Sequence, residues 1–313
     1  MIHVIKTRLR DVLARLIAPL LQRLAPDPRY FELWQSHGFH VSQVHYYQPI
    51  PDTRELDLSI WNERRDLSGL NMHDENQRQL LEDFVSRFKQ EYDSLECETS
   101  SLKTKFYLGN EAFESVDAEV LFCMIRQFKP RLIYEIGSGF STLLAADALS
   151  RNRAEGFPGT LVAIEPYPPD FLERSPTKDV ELRRIFVQEL ALAEFEALVE
   201  NDILFIDSSH ICRIGSDVQF EFLHVLPRLA RGVLVHVHDI FIPREYPKEW
   251  VLDRHFFWNE QYLLEAFLCF NTAFEVLWAG QWMHIKHPHL LAKAFTSYRP
   301  GVSPASLWMR RVN

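Results

Sequence analysis

From Arg131 onward the chain alternates short apolar runs with helical segments, and almost every run stops on a polar residue. The runs cover 131–136, 160–164, a weaker 181–187, 202–206 and 232–237. Between them, 141–149, 218–229 and 259–270 carry apolar residues at helical spacing. A short strand with no polar alternation is buried on both faces, as when helices cover both sides of a parallel sheet. Residues 274–278 and 282–286 flank Ala279-Gly280 and predict a closing antiparallel hairpin. The expected fold is α/β: a Rossmann-like, mainly parallel seven-stranded sheet with a terminal antiparallel hairpin, plus a mostly helical N-terminal extension.

Open sheets of this kind bind ligands beyond the carboxyl ends of their strands. The polar residues there are Glu135, Gly137, Ser138 and Gly139, then Glu165, Gln188, Asp207, Ser208, Ser209, His210, His238 and Asp239. The first group reads Glu135-Ile-Gly137-Ser-Gly139-Phe-Ser141-Thr142. Glycines let the backbone approach a ligand, and the helix that follows presents free N–H groups. The dinucleotide fingerprint needs a third glycine where Thr142 stands, so that match fails. An acid two residues before the first glycine suits an ammonium group, which a pyrophosphate ligand lacks. Glu165, at the next strand end, suits the hydroxyls of a ribose.

Composition narrows the class. Of 313 residues, 47% are hydrophobic and 25% charged, which excludes a largely disordered chain. A net charge of −9 argues against a general nucleic-acid binder. No run of about eighteen uncharged apolar residues exists, so no transmembrane segment is expected. Cys97, Cys123, Cys212 and Cys269 form no Cys-x-x-Cys pair, which excludes zinc ribbons and thioredoxin-like motifs and fits reduced thiols in the cytoplasm. Arg8, Arg10 and Arg15 interrupt any signal-peptide apolar region.

Two domains are expected: 1–100, a helical and irregular extension that is a candidate substrate cap, and 101–313, the ligand-binding sheet domain. Residues 1–25 form an amphipathic helix, with Leu9, Val12, Leu13, Leu16, Ile17 and Leu20 on one stripe and five basic residues against Asp11. Such a helix docks on its own protein or on a second subunit in a homo-oligomer; the alternative partner is a membrane surface. Residues 240–262 form an insertion or lid whose aromatics, with Arg244, Asn259 and Glu260, suit a sugar or flat polar ring; the alternative is a hydrophobic plug over the core. His236 is read as facing away from His238, packed in the core.

Glu-Ile-Gly-Ser-Gly, Ile-Glu165-Pro, Ile-Asp207-Ser-Ser-His210 and His238-Asp239 together resemble class I S-adenosylmethionine-dependent methyltransferases over roughly residues 105–288. The nearest branch is the small bacterial O-methyltransferase-like group with an Ile-Asp-x-x-His block and a late His-Asp; Ser208 replaces the glycine usual after its aspartate. The resemblance implies S-adenosylmethionine as cofactor, bound by Glu135, Gly137, Ser138, Gly139, Ser141, Thr142, Glu165, Gln188 and Asp207. Glu135 would lie near the methionine amino group, Glu165 on the ribose and Gln188 at the adenine edge. The catalytic candidates are His238, His210 and Asp239, with His238 slightly preferred as proton acceptor. Asp207, His238 and Asp239 are also candidate ligands of a divalent metal: Mn, Fe or Zn suit a histidine better than Mg. A third reading leaves the histidines structural. The implied function is O-methylation of a small-molecule acceptor, a hydroxylated metabolite or sugar. The rival is a non-catalytic or hydroxylase-like nucleotide-fold protein of a glycan or secondary-metabolite pathway.

Overall fold

The computed structural model describes residues 2–97, 105–173, 179–299 and 301–313. The chain divides into two units, 1–59 and 60–313. The smaller begins with helix Ile2–Leu24, which contains Pro19. Every residue from Lys6 to Leu20 is exposed, so the apolar stripe is uncovered. Asp27 ends this stretch by accepting the Arg29 N–H at 3.0 Å, and helix Phe31–Ser36 follows. Beyond it, the rings of His45, Tyr46 and Tyr47 lie tilted against one another, with Tyr46 and Tyr47 about four-fifths exposed.

The larger unit is built on seven strands: β1 (Leu132–Ile136), β2 (Thr160–Ile164), β3 (Val180–Arg183), β4 (Ile203–Ile206), β5 (Leu234–Val237), β6 (Phe274–Ala279) and β7 (Leu307–Arg311). Their order in the sheet is β3-β2-β1-β4-β5-β7-β6. The first five are parallel, and β7 runs antiparallel to both β5 and β6. Successive residues alternate between two cores. Ile133, Leu161, Ala163, Ile203, Phe205 and Leu234 join helices Asp74–Tyr92, Asp117–Phe128 and Phe140–Ala154 on one face. Tyr134, Ile136, Val162, Leu204 and Val235 pack on the other face, against Phe222, Val225 and Leu264. No helix among the described residues is long and apolar enough to cross a membrane.

Several local expectations are corrected. The hairpin's second strand is not 282–286: that stretch is helix Gly280–Lys286, followed by helix Pro288–Ala294, and β7 supplies the antiparallel partner. A short apolar run carries no period that separates strand from helix. Here Met283 enters the core, while Trp282 Nε1 donates to Asp74 Oδ1 at 2.7 Å. The third run is shorter than expected, because Val187 starts a 3-10 turn, Val187–Glu189. The helix over 218–229 is irregular: Asp217–Phe220 passes into a π turn, Glu221–Val225, and then a 3-10 turn. Helix Asp117–Phe128 starts without a side-chain cap, and the Ser115 hydroxyl just before it lies 2.7 Å from Ser297 Oγ. His236 shares the face of His238 rather than opposing it, because residues two apart on a strand point the same way. Their rings stack 5.8 Å apart, and His236 is buried against Phe205 with Ser306 Oγ 2.8 Å from its Nε2. All four cysteines are free thiols.

Candidate active site

The turn after β1 sets the geometry. Gly137 has φ +79°, and a Cβ there would lie 1.9 Å from the backbone oxygen of Asp207. The ends of β1 and β4 therefore touch only because residue 137 has no side chain. Gly139 differs: its φ of −171° is extended, and nothing lies within 4 Å of its would-be Cβ. Gly137, Glu165, Gln188 and Asp207 line one cavity of about 330 Å³, together with Tyr167 and Ser209. Glu165 sits at its rim, accepting the Tyr167 N–H at 2.7 Å and the Ser138 N–H at 3.4 Å. At this edge, among the described residues, Ser138 Oγ and Gln188 Oε1 are buried without a protein hydrogen-bond partner. Buried polar groups are normally satisfied, so orphans beside a cavity mark positions for a ligand's hydrogen bonds. A carboxylate, an amide and open space over an extended glycine fit a nucleoside-bearing ligand.

Glu135, Ser141 and Thr142 lie behind this surface rather than on it. Glu135 is fully buried, and its carboxylate accepts from Ser141 Oγ at 2.7 Å and Thr142 Oγ1 at 2.6 Å. Burial pushes its pKa up to about 8, against the pull of those two hydroxyls. An acid whose folded pKa is raised loses stability as pH climbs from the unfolded value, about 4.5, to the folded one, then levels off. Glu135→Gln, which keeps the hydroxyl contacts and removes the charge, should match wild type in melting temperature near pH 4.5. It should exceed wild type increasingly towards pH 8; parallel melting curves across that range would refute the assignment.

Asp207 joins the cavity to a cluster made with His210, His238 and Asp239. His210 Nε2 lies 3.4 Å from both Asp207 Oδ1 and Asp239 Oδ2. His238 Nδ1 lies 3.5 Å from Asp207 Oδ1 and 3.6 Å from Asp239 Oδ1. The structure thus brings all four strand-end candidates together. It adds three acids that strand-end reasoning missed. Glu260, fully buried, accepts from His210 Nδ1 at 2.9 Å. Asp117, at a helix start, lies 3.7 Å from His238 Nε2 and accepts the backbone N–H groups of Ala305 and Ser306. Glu221, in the π turn, accepts from Ser208 Oγ at 3.0 Å. Helix Glu260–Leu268 clamps His210 twice, because the N–H groups of Asn259 and Glu260 also donate to the His210 carbonyl. His210 holds a left-handed φ of +60° inside that clamp.

The charges follow from this packing. Burial alone would lower His210; Glu260, Asp207 and Asp239 outweigh it and raise the imidazole to about 9. Burial alone would raise Asp207; His238 and His210 outweigh it and bring the carboxyl down to about 2. His238 is lifted well above the usual range by Asp239 and Asp207, despite its burial. Asp239 is pushed up, mainly by burial. Asp207, His238 and Asp239 offer three ligand atoms within 4.8 Å of one another. Two carboxylates and an imidazole at that spacing fit a divalent cation, with a donor set suited to Mn²⁺, Fe²⁺ or Zn²⁺.

The insertion over 240–262 is mostly a plug. Phe241 and Tyr246 are buried, with Trp250 and Trp258 packed against them. Trp258 also lies over the His210 ring, centroids 4.2 Å apart. Asn259 and Glu260, read from sequence as contacts to an acceptor, instead pin the loop after β4: Asn259 Oδ1 accepts the Cys212 N–H at 2.6 Å.

A family model described as a methyltransferase domain matches residues 134–240, from β1 through the His238-Asp239 pair. An uncharacterized protein from Archaeoglobus fulgidus is 34% identical over 166 residues, covering 51% of this chain and 74% of that protein. Among solved structures, the apo form of CmcI-N160 matches with a TM-score of 0.37 and 17% identity, over 64% of this chain and 72% of that one. An O-methyltransferase from Bacillus cereus, solved with SAH, matches with a TM-score of 0.36 and 15% identity, over 75% and 91%.

Proposed function

We propose that this chain, whose residues 134–240 match the methyltransferase-domain model, is a class I enzyme dependent on S-adenosylmethionine that methylates a hydroxyl oxygen of a small acceptor, a sugar or hydroxylated metabolite. One observation carries this reading: the cavity bounded by Gly137, Glu165 and Gln188 shares Asp207 with a histidine whose far nitrogen is held by a buried glutamate. Glu165 would hold the ribose, Gln188 and Ser138 the remaining polar edges, and the backbone over Gly139 would face the ligand. When bound, S-adenosylmethionine supplies the electrophilic methyl group on its sulfonium. A divalent cation held by Asp207, His238 and Asp239 would polarise the acceptor oxygen and relieve the crowding of their carboxylates.

The chain's own work is positioning and removal of one proton. The preference moves from His238 to His210 as base. His238 stands among three carboxylates, Asp117, Asp207 and Asp239, as one donor of a cluster. His210 has its Nδ1 occupied by Glu260, so Nε2 is the nitrogen turned towards Asp207, Asp239 and the acceptor side. The acceptor's O–H proton passes to Nε2 as its oxygen takes the methyl group. Trp258 over the imidazole gives the acceptor side an aromatic wall, which suits the apolar face of a sugar.

Titration with S-adenosylmethionine tests the reading, and the two glycines separate its parts. Gly139→Ala meets open space and an extended backbone, so the protein should fold normally and bind the cofactor at least tenfold more weakly, roughly the effect of losing ~1.4 kcal/mol. Gly137→Ala forces a Cβ onto Asp207, so its melting temperature should fall first. Glu165→Ala should cost ~1.5–3 kcal/mol of binding. Wild-type affinity in folded Gly139→Ala and Glu165→Ala together would sink the proposal.

A further inference from the structure

The uncovered helix Ile2–Leu24 takes no part in the chemistry above. Leu9, Val12, Leu13, Leu16, Ile17 and Leu20 recur at helical spacing, and each is 45–70% exposed. An apolar stripe of that size left in water costs free energy, and such a stripe marks a surface that something covers. The charge on the same helix says what. Lys6, Arg8, Arg10, Arg15 and Arg23 stand against the single acid Asp11, in a chain whose net charge is −9. This short segment is therefore net basic within an acidic protein. On a helical projection Arg8 and Arg15 flank one side of the stripe and Arg10 the other, while Lys6 and Arg23 fall within its arc near the two ends of the helix. A leucine-rich face bordered on both sides by long cationic side chains matches a bilayer interface: the apolar face enters the acyl boundary, and the cations stay at the headgroups. A second copy of the helix is a poorer occupant, because pairing would bring the two basic borders together.

We propose that helix Ile2–Leu24 binds an anionic membrane surface, lying in its plane. The full-length protein should float with vesicles of phosphatidylglycerol and phosphatidylcholine, not with phosphatidylcholine alone, and high salt should release it. Each basic side chain near an anionic surface contributes about fivefold in partition, so Arg8→Ala/Arg10→Ala/Arg15→Ala should bind roughly a hundredfold more weakly. Alanine favours helix, so the triple variant keeps the segment's conformation. Leu16→Asp should also abolish flotation. Both variants should bind S-adenosylmethionine as wild type does, which separates this proposal from the reading of the cavity. Failure to float, or equal binding to both vesicle types, would overturn it. So would a dimer that Leu16→Asp dissociates in protein that never floats, because a second copy would then be the occupant.

Discussion

His210→Ala is expected to lower turnover by ~10²–10⁴ while S-adenosylmethionine affinity stays near that of wild type. The substitution removes the proposed proton acceptor and leaves the cavity of Gly137, Glu165 and Gln188 in place. Glu260 gives the sharper test, since it does not line the cavity and its carboxylate holds His210 Nδ1. Glu260→Gln removes the charge that raises His210, so the imidazole loses its proton at lower pH. The acid limb of the rate profile should move to lower pH, and the plateau should fall as the histidine becomes a weaker base. KM for the acceptor should change less than kcat, and Glu260→Asp should recover part of the rate. A change in stability alone would leave the pH profile where it was. If His210→Ala keeps full activity while His238→Ala loses it with the metal retained, the base is His238.

Chelation is expected to have an effect of the same order. Removing a cation from Asp207, His238 and Asp239 should abolish methyl transfer, and Mn²⁺, Fe²⁺ or Zn²⁺ should restore it better than Mg²⁺. The two carboxylates should then repel one another with only the histidines between them. Metal at about a hundred times its Kd should therefore raise the folding free energy by ~2.7 kcal/mol, read as a rise in melting temperature. Asp207→Asn should lose both responses. Full activity after exhaustive chelation, with no thermal shift on adding metal, would leave the cluster to the two histidines.

The candidate site divides by how far apart its partners are in the chain. Gly137, Glu165, Asp207, His238 and Asp239 were legible because each closes a local apolar run, and parallel sheets place all such ends at one edge. Glu260 and Asp117 were not. Each stands at the start of a helix, where an acid is adequately explained by the helix dipole. Their partners lie far off in sequence: Glu260 and His210 are 50 positions apart. His236 was misplaced through strand parity, and 282–286 through its lack of any period. The order of the last strands was hidden for a further reason: β7 is separated from β6 by two helices, and nothing local says that it inserts between β6 and β5.

That insertion bears on how the protein is made. A nascent chain that has emerged only through β6 has five parallel strands with an open edge at β5, and β6 has no neighbour to pair with. Asp117, made long before, then still lacks the N–H groups of Ala305 and Ser306 that hold its carboxylate beside His238. Closing the sheet and seating that acid are one event, which waits for the translation of residues 305–311. A ribosome-bound intermediate is thus prone to edge pairing with its neighbours and is catalytically unformed, so premature termination yields a substrate for chaperones and proteases rather than a stray methylating fragment.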